Sequence, residues 1–103
     1  MTPDETKKIF LEKFSVLGAV KFYEFLINYA TNRISLEGKI KKPSPEVELM
    51  DFSDSFIGFY RKEGSIAYLE ISKYFRKASH FVYRAMLKKK LIKKNVRFLN
   101  MVD

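Results

Sequence analysis

The stretch YLEISKYFRKASHFVYRAMLKKKLIKKNVRF, Tyr68 to Phe98, decides how this chain folds. Apolar residues recur along it at helical spacing, yet Arg76-Lys77-Ala78 interrupts them without a glycine or proline. Two readings compete. One basic helix would set Arg76 and Lys77 on the flanks of an apolar stripe, which is tolerable. Two short helices with a corner between them would use Ser79 as the N-cap of the second, where its hydroxyl accepts from an exposed backbone N–H. That cap signal and the shortness of each half favour the corner. On this reading Leu69, Ile71, Tyr74 and Phe75 turn inward from the first helix, and Val82 and Met86 from the second.

Upstream, Gly64-Ser65-Ile66-Ala67 reads as a brief strand after a turn residue. Ser44, Pro45, Glu46 and Glu48 open a helix that carries Phe52, Phe56 and Tyr60 on one face and stops at Glu63-Gly64. Residues 37–45, with Gly38, Pro43 and Pro45, form the connector. The first 36 residues are helical. Thr2, Pro3 and Glu5 make a capping box with proline at the first helical position. Ile9, Phe10, Phe14 and Leu17 share a face, and Gly18 marks a break or a close crossing. Beyond it the helix is apolar nearly all round, so it is buried on more than one side. It is either a central core helix or the face that meets a second copy. On the latter reading Phe14, Phe22, Phe25, Leu26 and Tyr29 are the dimerisation residues.

At 103 residues the chain has room for one domain and one core. The 47% hydrophobic and 31% charged content is globular, and the 16% aromatic share, all Phe and Tyr, asks for a ring-built core. No cysteine is present, which excludes disulfides and thiolate metal sites and fits a reducing, cytoplasmic compartment. Absence of Cys and Trp beside abundant Lys, Glu and Ile fits a thermophilic source. The charged N-terminus is unlike a signal peptide, and no apolar run is long enough to cross a bilayer.

Charge is uneven. Residues 71–103 hold ten Lys or Arg against one acid, Asp103, whereas residues 1–70 hold ten against eleven. A near-neutral front and a cationic back third mark an anion-binding surface, most often for nucleic acid, with a solvated lysine face as the plain alternative. Catalysis finds no support: there is no Cys nucleophile, no His pair, no GxxxxGK and no HExxH. Asp51 and Asp54, one turn apart, are too few to hold a metal, and no cofactor is implied.

The segment GSIAYLEISKYFRKASHFVYRAM resembles a helix-turn-helix within the winged-helix family of small bacterial, archaeal and viral transcription regulators. It shares a Gly-Ser-Ile lead-in, a first helix with Leu69-Glu70-Ile71-Ser72, a turn closing at Ala78-Ser79, and a second helix with Val82 to Met86. LIKKNVRFLNMV takes the place of the wing: one strand at Leu91-Ile92, a turn at Lys93-Lys94-Asn95 and a return from Val96 to Val102. The resemblance spans about residues 52–102. It implies a mainly α fold with a small β-hairpin, a winged helix-turn-helix over 46–103 preceded by aromatic-rich N-terminal helices.

Such a fold would place a recognition helix, about 79–88, in the major groove of double-stranded DNA. Ser79, His80, Tyr83 and Arg84 are then the base-contact candidates. Arg76, Lys77, Lys88, Lys89 and Lys90, with Lys93, Lys94 and Arg97 on the wing, would hold phosphates. The expected function is a DNA-binding transcriptional regulator, working as a homodimer on the nucleoid. The alternative is a winged-helix adaptor that binds a protein partner in a replication or transcription complex. RNA binding is a lesser version, because a short wing offers no aromatic sheet for base stacking. A membrane-surface helix is weaker still, since the corner shortens it.

Overall fold

Thr2 opens the first helix as its sequence predicts, its hydroxyl accepting from the Glu5 N–H at 3.2 Å. The computed structural model describes residues 2–34 and 42–92. Within them the chain is all-α, with three helices in the order α1 (Pro3–Thr31), α2 (Pro45–Glu63) and α3 (Ile66–Lys88).

α1 is broken at Gly18, whose φ of 77° and ψ of 175° are non-helical and open in practice only to glycine. Its arms, residues 3–17 and 19–31, fold back on each other. Phe10 and Tyr29 would lie about 28 Å apart along a straight helix, yet their ring centroids are 6.2 Å apart. Phe14 and Phe22 likewise meet across the break at 5.3 Å.

α2 ends on Gly64, whose left-handed φ of 78° lets its N–H reach the Tyr60 carbonyl. α3 starts immediately afterwards, so α2 and α3 form an antiparallel hairpin. Their seam is made of small polar groups that satisfy one another. Ser53 and Ser72 hydroxyls each donate to the other's backbone carbonyl, at 2.9 and 2.8 Å. Further along, the Ser79 hydroxyl donates to the Glu46 carbonyl at 2.6 Å. Buried hydroxyls bonded in this way carry no unmet desolvation cost.

The core is a cluster of rings around Phe10 and Phe75, which meet edge-on at 4.9 Å. Phe75 also contacts Phe22, Phe52 and Phe56, so one ring of α3 touches both other helices. Polar ties close the two ends. Lys7 pairs with Glu63 at 2.7 Å, and at the other end Glu48 takes Arg33 and the Tyr29 hydroxyl.

Three expectations are corrected here. The corner at Arg76-Lys77-Ala78 does not exist: α3 is one helix from Ile66 to Lys88. Ser79 is not its cap but a buried seam residue, and Ala78 is fully buried where the helices approach. The brief strand at Gly64–Ala67 is instead a helix junction, with Ser65 in the N-cap position. No strand forms among the described residues, so the winged helix-turn-helix is replaced by an all-α fold. Leu91 and Ile92 are described and non-strand, while the rest of the expected wing, Lys93 to Val102, lies outside the described residues.

Candidate nucleic-acid interface

Because α3 is continuous, its 3.6-residue period can be followed from end to end. Ile71, Phe75, Ala78, Ser79, Val82 and Met86 are buried and share one side. At about 100° per residue, positions 73, 77, 84 and 88 fall within about 60° of one another on the opposite side. Lys73, Lys77, Arg84 and Lys88 occupy them, and all four are exposed. They form a line about 22 Å long, with Glu70 as the one acid in the helix, near its start. Lys89 and Lys90, past the last turn, are exposed too, with Lys89 on another side beside Val82, Met86 and Leu91. The helix ends there: Lys90 adopts φ 59°, its N–H reaches the Leu87 carbonyl and the Leu91 N–H reaches that of Met86.

Beside this line runs an open groove of about 890 Å³. One wall is the second arm of α1, with Ala19, Val20, Tyr23, Glu24, Ile27 and Asn28; the other is α3, with Tyr74, Lys77, His80, Phe81 and Arg84. Two apolar side chains on its walls face solvent, Val20 at 73% exposure and Phe81 at 47%. Lys77 lies over the Tyr74 ring at 5.7 Å. Among the described residues, both ion pairs are elsewhere, so neither Lys77 nor Arg84 is neutralised by a carboxylate there.

The candidate residues separate by burial. Of the four assigned to base contact, Ser79, Tyr83 and His80 are buried at 0%, 1% and 6% exposure, and only Arg84 is exposed. Of the phosphate candidates, Lys77, Lys88, Lys89 and Lys90 are exposed and Arg76 is half-buried. Lys93, Lys94 and Arg97 lie outside the described residues. The dimerisation candidates pack inside the chain: Phe22 and Leu26 are fully buried, and Phe14, Phe25 and Tyr29 lie half-buried against the same core.

Sequence reasoning missed Lys73 and the groove. Lys73 is legible once α3 is read as one helix, because its i+4, i+11 and i+15 neighbours are all cationic. The groove is not, since it depends on how the second arm of α1 settles against α3. Among the described residues there is no cluster able to hold a metal ion and no helix long and apolar enough to cross a membrane. Compared with protein-family models, curated proteins and solved structures, the chain matches none.

Proposed function

We propose that this protein binds DNA by gripping the phosphate backbone along α3, as a small regulatory or architectural component of the nucleoid. One observation carries the reading: Lys73, Lys77, Arg84 and Lys88 share a single exposed line opposite the buried face of their helix. Cations so aligned meet a polyanion without rearrangement, and each phosphate neutralised releases condensed counterions. Ser79, His80 and Tyr83 are buried, so base edges are met by Arg84 at most, and affinity rests on the backbone.

The test is binding to duplex DNA over a salt series. With about four to six phosphates held, affinity falls by about 10²–10³-fold between roughly 50 and 200 mM salt. Lys77→Glu with Arg84→Glu should lower affinity and reduce the magnitude of the log–log salt slope by about 2. Lys8→Glu with Lys62→Glu, exposed changes on other helices, should alter neither strongly. No binding at low salt, or equal losses from the two pairs, would overturn the proposal.

A further inference from the structure

The groove beside the cationic line has no role in backbone binding, yet its chemistry continues that line. Lys77 and Arg84 belong to both: they stand on the groove's α3 wall, about 10 Å apart along the axis. Between them Phe81 projects at 47% exposure, and Tyr74 and Tyr23 complete an aromatic lining. A large ring left half in water between two cations forgoes part of the gain that burying it would bring. It is well placed for a ligand that brings flat apolar faces and negative charge together.

Unpaired nucleotides are such a ligand. Every base has a π-face that stacks on an aromatic side chain, and its phosphates follow a positive track. Duplex DNA keeps its bases stacked inside and cannot offer them to Phe81. The groove volume, about 890 Å³, lies within the range that encloses a ligand of several rings. Among the described residues, Glu24 on the far wall is the one acid lining it, facing two basic residues.

We infer that the α1–α3 groove is a stacking site for the unpaired bases of a single strand, with Phe81 as its platform and Lys77 and Arg84 holding the flanking phosphates. This rests on the backbone-binding reading and adds to it: the preferred substrate is single-stranded nucleic acid, or a duplex with an opened segment. Affinity for a duplex comes from the cationic line alone. A single strand engages the line and the groove together.

The test compares a short labelled single strand, the same strand annealed to its complement, and an abasic strand of equal length, by fluorescence anisotropy at one salt concentration. The single strand should bind more tightly than either of the others. Phe81→Ala should weaken the single strand by about 5- to 150-fold, the range for loss of one stacked base. It should leave duplex affinity and the salt slope unchanged, and Phe81→Tyr should restore binding. Phe81 is exposed, so the alanine variant retains its core, which far-UV circular dichroism checks. Equal affinity for the abasic strand, or no effect of Phe81→Ala, would overturn the stacking site while leaving backbone binding in place. A groove that takes an acidic amphipathic peptide but not bases gives that same pattern and also overturns it. No binding to any of the three would remove both readings.

Discussion

Tyr29 shows how one side chain couples the helices. Its hydroxyl donates to Glu48 Oε1 at 2.7 Å, and Arg33 holds the second carboxylate oxygen. Burial first, and then the bond to the Glu48 carboxylate, push the phenol up to about 12 from its ordinary 10. The folded chain therefore keeps a proton that the unfolded chain gives up as pH rises past about 10. The linked stability is complete below about pH 10 and is lost as pH climbs toward about 12. Comparing the wild type with Tyr29→Phe by phenolate absorbance and thermal unfolding checks this. The variant should lack one late-titrating phenol and show a shallower fall in stability over that window. Identical curves would show that Glu48 does not hold this proton.

At the scale of elements, the chain does turn a corner, but after α3 and not within it. Lys90 takes the left-handed conformation that usually falls to glycine, at a cost of about 1–2 kcal/mol for a residue with a Cβ. Lys77, within the expected turn, sits in regular helix. Glycine should thus act with opposite signs at the two positions. Lys77→Gly should cost about 1 kcal/mol, as in any exposed helix interior. Lys90→Gly should stabilise by about 0.5–1 kcal/mol after allowing for the freer unfolded chain. Denaturant unfolding of both variants decides it, and a stabilising Lys77→Gly would restore the corner. The signals legible in the sequence are local ones: Thr2 caps the N–H three residues on, Pro45 opens α2 and Gly64 closes it. Ser79 misleads because the partner of its hydroxyl, the Glu46 carbonyl, is 33 residues away. A serine with a distant bond and a serine at a cap look alike in one dimension. The Gly18 break is legible for the opposite reason, since a glycine between two apolar arms needs no distant partner to announce it. For the candidate site, the cationic character of α3 is legible, but its alignment is not. A corner would split Lys73 and Lys77 from Arg84 and Lys88, and with them the line that gives their charge a direction.

For the whole molecule, the two faces of α3 do opposing work. Its buried side joins both other helices, while its outer side crowds like charges within a chain of net charge +8. Lys73–Lys77 and Arg84–Lys88 are four residues apart, and each such like-charge pair opposes the helix by about 0.2–0.5 kcal/mol at low salt. A surface arranged for a polyanion is therefore not the most stable surface the free protein could carry. Arg84→Glu exposes this directly. It removes one repulsion and sets a carboxylate four residues before Lys88, the favourable order for a helix pair. The free variant should gain about 0.4–1 kcal/mol at low salt, which raises the midpoint of a domain this size by about 2–8 °C. Raising ionic strength to about 0.1 M shortens the screening length to about 10 Å and should shrink the difference. With DNA present the order should reverse, because ligand binding stabilises the wild type more than the variant with its weakened grip. Thermal scans of both proteins, at two salt concentrations and with or without DNA, contain the whole argument. If Arg84→Glu were destabilising in the free protein, the side chain would have a structural partner, and its place in a line kept open for phosphates would be lost.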